Sequence, residues 1–120
     1  MTRILYIEDD ANNRMLVRRV LMADGFDVDE ASNAVDGINK ALDNPPDLIL
    51  MDMSMPGMDG LTATAKIRSM PQIAHIPIIA LTANVMEGDR ERSLEAGCDG
   101  YIGKPIDIDI FVEQISQYLR

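Results

Sequence analysis

Three consecutive acids, Glu8-Asp9-Asp10, follow the first apolar run of the chain; Asp52 follows the third, Thr82-Ala83 the fourth and Lys104-Pro105 the last. Gathered in one place, such groups would repel. Two carboxylates about 4 Å apart cost roughly 4 kcal/mol at an effective dielectric near 20. A single lysine cannot balance three or four of them, so a hard, oxygen-seeking divalent cation is called for. Mg²⁺ suits a few carboxylates together with waters and a phosphate ligand. A cation held there would attract a phosphoryl group beside Asp52. Lys104 would pair with the phosphoryl oxygens and the Thr82 hydroxyl would donate to one of them. Positioning, charge neutralisation and an in-line nucleophile are what phosphoryl transfer requires. Singly, each residue has a plainer reading. Asp10 is a good helix cap. Asp52 before Pro56-Gly57-Met58-Asp59-Gly60 reads as a strand end and turn. Asn84 with Glu87 reads as a capping pair, and Lys104-Pro105 as a loop. The joint placement carries the signal.

That placement depends on the elements. Short apolar runs at 4–7, 26–28, 48–51, 76–81 and 101–102 read as strands. Three of them are continuous, as in strands covered on both faces. The run at 26–28 alternates with aspartates and is expected at an edge. Between them, 11–24, 33–43, 60–70, 85–96 and 107–119 carry helical stripes, with stops at Gly25, Pro45-Pro46, Pro71 and Gly97. Ile108, Phe111, Val112, Ile115 and Leu119 form the clearest stripe. The order βαβαβαβαβα predicts an α/β fold, a (βα)₅ three-layer sandwich around a parallel five-stranded sheet. Such sheets place their site beyond the carboxyl ends of the strands, near the point where strand order reverses. The acids, Asp52, Thr82 and Lys104 all fall on that rim.

Composition narrows the function classes. The 120 residues carry a net charge of −9, with 47% hydrophobic and 26% charged side chains. This fits one globular domain and neither a disordered chain nor a membrane protein. The acidic balance argues against nucleic acid as a direct partner. One cysteine excludes a disulfide framework. With no signal-peptide pattern and no stretch long enough to span a bilayer, a cytoplasmic protein is expected, with no membrane partner.

Four segments carry a family resemblance: 4–10 (ILYIEDD), 46–60 (PDLILMDMSMPGMDG), 76–83 (IPIIALTA) and 96–105 (AGCDGYIGKP). The sequence resembles the receiver domain of bacterial two-component response regulators, the CheY-like fold, over residues 3 to 119. The resemblance implies sheet order 2-1-3-4-5 and a receiver domain over 1–120, in the style of single-domain regulators. It implies that Asp52 is the phosphoacceptor, forming an acyl phosphate. Glu8 and Asp9 would serve Mg²⁺, with Mn²⁺ a substitute, Asp9 the more direct ligand and the Ser54 backbone carbonyl and Asp52 completing the set. Thr82 would bind the phosphoryl group, Ala83 would offer its N–H and keep access open, and Lys104 would be the ion partner before a cis bond to Pro105. Tyr101 fits the switch aromatic that turns inward when Thr82 moves. Glu8 stands where aspartate is commoner, and its extra methylene points to a water-mediated role. Ser54 and Asn84 sit where the family varies its autodephosphorylation rate.

The function so implied is a switch rather than an enzyme turning over an external substrate. A histidine kinase or histidine phosphotransfer protein would donate to Asp52, and the helix 4–strand 5–helix 5 face would carry the output to an unidentified protein. Helix 4, with few apolar anchors, would be the mobile element. The acidic rim and helix 1 would meet the donor, and Arg14, Arg18 and Arg19 read as plain surface ahead of a recognition patch. Alternatives are an excised receiver of a longer regulator or hybrid kinase, and a phosphorylation-independent interaction module. A flavin module would need a hydroxyl- and glycine-rich first loop, whereas Glu8-Asp9-Asp10 would repel its phosphate. An aspartyl phosphatase often has a second acid two positions on, where this chain has Ser54. Most methionines, Met15, Met22, Met51 and Met70 among them, read as core or loop filler. Met53, Met55 and Met58 flank the site as a candidate partner contact. Cys98 reads as a buried thiol, and His75 as a loop residue unsuited to carrying phosphate.

Overall fold

The computed structural model describes residues 1–83 and 88–119. Strands β1 (Arg3–Ile7), β2 (Asp27–Ala31), β3 (Leu48–Asp52), β4 (Ile78–Thr82) and β5 (Gly100–Gly103) alternate with α1 (Ala11–Ala23), α2 (Ala34–Asp43), α3 (Gly60–Arg68), α4 (Asp89–Ala96) and α5 (Phe111–Ser116). All neighbouring strands pair in parallel, in the order β2-β1-β3-β4-β5. Central β3 and β4 are buried at every residue, which is why they read as unbroken apolar runs. Strand periodicity splits the core in two. Ile4, Tyr6, Leu48, Leu50, Ile79 and Leu81 pack with Val17 and Leu21 of α1 and Phe111 and Ile115 of α5. Leu5, Ile7, Ile49, Met51, Ile78 and Ala80 pack with Ile38 of α2 and Ala63 and Ile67 of α3. Each buried Leu or Ile contributes roughly 1.5–3 kcal/mol, so the sheet is clamped on both faces and the loops at its edge are left for chemistry.

Side chains fix the helix starts. Asp10, Asn33 and Asp59 accept N–H hydrogen bonds at the N-termini of α1, α2 and α3. Asp10 therefore takes the plainer of its two readings, capping Asn12 N at 2.8 Å and Asn13 N at 3.2 Å. Gly25 and Gly97, at φ +90° and +113°, close α1 and α4 in the left-handed region.

Four local expectations need correction. The second strand runs over Asp27–Ala31 rather than 26–28, because Arg3 to Ile7 of β1 supply a partner for five successive residues. Helix α5 begins at Phe111 rather than 107. Asp107 Oδ1 accepts the Asp109 N–H at 3.0 Å and its carbonyl accepts the Ile110 N–H at 3.2 Å, forming a turn. Ile108 is left exposed instead of joining the stripe. Met15 and Met22 are about half exposed on α1 rather than filling core. Met55 is buried in the α2–α3 side of the core and so drops out of the candidate partner contact, while Met53 and Met58 pack against that core half-buried. The start of the helix expected at 85 and the Asn84–Glu87 pair lie outside the described residues; the helix is described from Asp89.

Gly60 fixes how α3 departs from β3. A Cβ there would lie 2.6 Å from the Asp52 carbonyl oxygen and 2.9 Å from Met53 Cα. Because these are backbone atoms at the end of β3, they cannot yield without moving Asp52. Gly60→Ala is expected to cost about 1–3 kcal/mol in urea denaturation, a loss absent from an exposed control such as Gln72→Ala.

Candidate acidic site at the sheet edge

The rim beyond β1 and β3 lies where strand order reverses, β2 flanking β1 on one side and β3, β4 and β5 following on the other. Glu8 and Asp9 leave β1, and Asp52 is the last residue of β3. One oxygen from each of Glu8, Asp9 and Asp52 lies within 4.8 Å of the others. Glu8 and Asp52 are only 1% and 2% exposed, while Asp9 faces solvent. From β5, Lys104 reaches back and donates to Asp52 Oδ1 at 3.0 Å and to Glu8 Oε1 at 3.1 Å. Its peptide bond to Pro105 is cis.

The two buried carboxyls differ in their donors. Glu8 Oε1 accepts from the Tyr6 hydroxyl at 3.1 Å, Asn13 Nδ2 at 3.3 Å and Lys104, and Oε2 accepts the Asp10 N–H at 3.4 Å. Asp52 Oδ1 accepts Lys104 and the Ser54 N–H at 3.2 Å. Burial opposes ionisation of both. Against it, hydrogen bonds from its neighbours and the Lys104 charge hold Glu8 down at about 2. At Asp52, burial and the adjoining Glu8 carboxylate prevail over Lys104 and Ser54, and push it up to about 6. Of the two, Glu8 therefore ionises first and Asp52 holds its proton to the higher pH. Lys104 is desolvated, yet the two carboxylates raise its pKa and hold it charged. Burial and Glu8 likewise push the Tyr6 phenol upward, so it remains a donor.

The other expected residues lie around this edge of the sheet or behind it. Thr82 ends β4, 1% exposed; its carbonyl accepts the Lys104 N–H at 2.8 Å. Ala83 is exposed and, with Lys104, lines an apolar hollow of about 420 Å³ completed by Asn13, Leu16, Val17, Pro105 and Ile106. Ser54 contributes its N–H to Asp52. Tyr101 pairs in register with Ala80, two positions short of the Thr82–Gly103 pair at the rim, and packs half-buried on the α2–α3 side of the core. Cys98 is buried, with Thr64 Oγ1 at 3.6 Å from its sulfur, and His75 is an exposed loop residue.

Three contributors escaped the sequence reading. Tyr6 precedes Glu8 by two on a strand and therefore shares its face, a signal available from period-two alternation. Asn13 lies in the first turn of α1, and the Asp10 cap turns it toward Glu8. Arg14 Nη1 donates to the Glu8 carbonyl at 2.7 Å and the Asp9 carbonyl at 3.1 Å, tying down the loop that carries both acids. Arg14 is thus more than plain surface.

An all-oxygen set with one solvent-facing carboxylate fits a hard divalent cation such as Mg²⁺ or Mn²⁺ and does not fit a soft metal. The cation would sit against Glu8, Asp9 and Asp52.

Comparisons with known proteins agree. Residues 4–116 match the family model of the response regulator receiver domain. The polar-differentiation response regulator DivK of Brucella anthropi is 38% identical over 116 residues, covering 97% of this chain and 94% of its own. The receiver domain of a sensor histidine kinase from Pseudomonas aeruginosa, solved with a magnesium ion coordinated in its active site cleft, is 33% identical. It superposes with a TM-score of 0.91 over 98% of this chain and 97% of its own. The chemotaxis protein CheY4 of Vibrio cholerae shares the fold, with a TM-score of 0.94 over 99% of both chains at 24% identity.

The split acidities fix a pH dependence in metal-free protein. Glu8, lowered in the fold, stabilises it above about 4.5 and loses that contribution as pH falls toward about 2. Asp52, raised from 3.8, stabilises the fold at low pH and loses that contribution as pH rises through about 6. The pair's combined contribution peaks near pH 4 to 5 and falls by about 1–3 kcal/mol toward pH 7. Urea denaturation in EDTA should show that falling limb in the wild type. Asp52→Asn should abolish it and be the more stable protein at pH 7.

Proposed function

The chain belongs to the response regulator receiver family, and on that premise we propose that it is a phosphorylation switch in which Asp52 is the acceptor. Receiver domains of this family are signalling switches in two-component systems rather than enzymes of the ordinary kind. The observation that carries the proposal is the geometry at Lys104: one ammonium bridges Asp52 and Glu8, with Asp9 in reach of both acids. That arrangement supplies a nucleophile, a counter-ion for transferred charge and an oxygen set for a divalent cation.

A bound Mg²⁺ would neutralise the acids and the incoming phosphoryl oxygens. Asp52 releases its proton to solvent and its ionised carboxylate oxygen attacks phosphorus. The bond from phosphorus to the donor's imidazole nitrogen breaks, the electron pair stays on that nitrogen, and the ring leaves as neutral imidazole after taking one proton from solvent. Lys104 shifts from the carboxylates to the phosphoryl oxygens, and the Thr82 hydroxyl donates to one of them. Ala83 offers its N–H and adds no bulk at the rim over the buried Asp52 carboxyl. The Ser54 N–H keeps Asp52 oriented, and the Ser54 carbonyl would be available to a bound cation.

The charge added at Asp52 biases the elements next to Thr82. On α4 the Ser93 hydroxyl is buried without a hydrogen-bond partner and Leu94 is exposed, so among the described side chains the apolar contact of α4 is limited to the small, half-buried Ala96. Such a helix is cheap to displace. Movement of Thr82 toward the phosphoryl group, with Tyr101 turning inward, carries the change to the α4–β5–α5 face and so to a downstream protein. The donor, a histidine kinase or histidine phosphotransfer protein, meets the rim beside α1. There the hollow under Leu16 and Ile106 and the exposed Met15 offer apolar contact next to Lys104. Among the described residues no helix is long and apolar enough to cross a membrane, in keeping with a cytoplasmic site of action.

Incubation with acetyl phosphate and Mg²⁺ should give one phosphoryl adduct by intact mass. EDTA and Asp52→Asn should each abolish it, and Lys104→Ala should leave a slower or weaker adduct. An adduct retained by Asp52→Asn at the wild-type level places the acceptor elsewhere.

A further inference from the structure

We propose that the buried Tyr6 hydroxyl, with Asn13, positions Glu8 so that it offers a cation one oxygen only, and thereby selects Mg²⁺ over Ca²⁺. This rests on reading Glu8, Asp9 and Asp52 as a divalent-cation site. Tyr6 is fully buried between β1 and the α1–α5 helices, packed with Leu21, Leu50 and Phe111, so its hydroxyl cannot swing away. It lies on the face of β1 that also carries Glu8 and donates to Oε1 at 3.1 Å. Asn13 donates to the same oxygen from α1 at 3.3 Å, and Lys104 from β5 at 3.1 Å.

A carboxylate oxygen has about two lone-pair sites. Three donors saturate Oε1, whereas Oε2 accepts the longer bond from the Asp10 N–H at 3.4 Å. When Lys104 turns to a phosphoryl group, Tyr6 and Asn13 still fill both sites of Oε1. The glutamate is thus pinned despite its extra torsion, and two-oxygen coordination by Glu8 is barred throughout. Ca²⁺ takes roughly six to eight oxygens and readily accepts both oxygens of a carboxylate, while Mg²⁺ demands about six in a compact octahedron and keeps waters. Barring the second oxygen therefore penalises Ca²⁺ and leaves Mg²⁺ its preferred set. An aspartate at position 8 would be too short to reach the Tyr6 hydroxyl and would escape this control.

Calorimetric titration of the full chain with MgCl₂ and, separately, CaCl₂ tests the proposal. The wild type should bind Mg²⁺ more tightly than Ca²⁺. Tyr6→Phe, which keeps the ring and its packing, should lower the Mg²⁺-to-Ca²⁺ affinity ratio by about tenfold, in the range of outer partners of metal ligands. Asn13→Ala should lower it in the same direction. On a Glu8→Asp background, Tyr6→Phe should leave the ratio unchanged. Equal weakening of both cations by Tyr6→Phe would mark a merely structural role and overturn the inference while leaving the cation site intact. If Tyr6→Phe does not fold, Asn13→Ala decides, and an unchanged ratio overturns the inference. Absence of binding of either cation to the wild type would overturn the site itself, and with it this selection.

Discussion

Two carboxyl groups, Glu8 and Asp52, are sealed from solvent at the end of a parallel sheet, and one ammonium, Lys104, bridges them. Like charges do not share a dry pocket without compensation. Here it comes unevenly: Glu8 collects Tyr6, Asn13, Asp10 and Lys104, and Asp52 is left with Lys104 and one backbone N–H. The residue best suited by position to attack a phosphoryl group is therefore the one least content with its own charge. A cation and a phosphoryl group would relieve the same imbalance. In this way a local electrostatic deficit becomes a sensitivity to ligand.

The rest of the fold bears the cost of that deficit. Both sheet faces are closed by helices, and the loops that deliver the acids are fixed by polar contacts. Arg14 ties the carbonyls of Glu8 and Asp9, Asp59 caps α3 directly after the β3 loop, and Gly60 lets that helix pass close to Asp52. At the opposite edge Arg68 donates to the carbonyls of Gly97, Ala74 and Ile76 and pairs with Asp99, binding α3, α4 and β5 together. On α4 the buried side chain is Ser93, whose hydroxyl has no hydrogen-bond partner, where an apolar one would be expected.

Much of this was legible in the sequence for a simple reason. Parallel strands buried on both faces write themselves as apolar runs, and the residue after each run must land on one rim. Hence Glu8, Asp9, Asp52, Thr82 and Lys104 could be placed together although they span nearly the whole chain. Local errors arose where burial is partial. The aspartates of β2 hid its length, and the apolar Ile108 implied a helical turn that the Asp107 side chain replaces with a tighter one. Tyr6 was read only as an apolar strand residue, and its hydroxyl was not weighed. Asn13 and Arg14 act through contacts that exist only once α1 is docked.

Side-chain carbonyl NMR of ¹³C-labelled protein, assigned through Asp52→Asn, reaches the electrostatic imbalance directly. In EDTA the Asp52 carboxyl should titrate near 6 while Glu8 stays ionised throughout the range above pH 4, and Mg²⁺ should drive the Asp52 midpoint downward. An Asp52 carboxyl that titrates in the ordinary range near 4 and ignores Mg²⁺ would contradict the shared-proton site and remove its link to the cation.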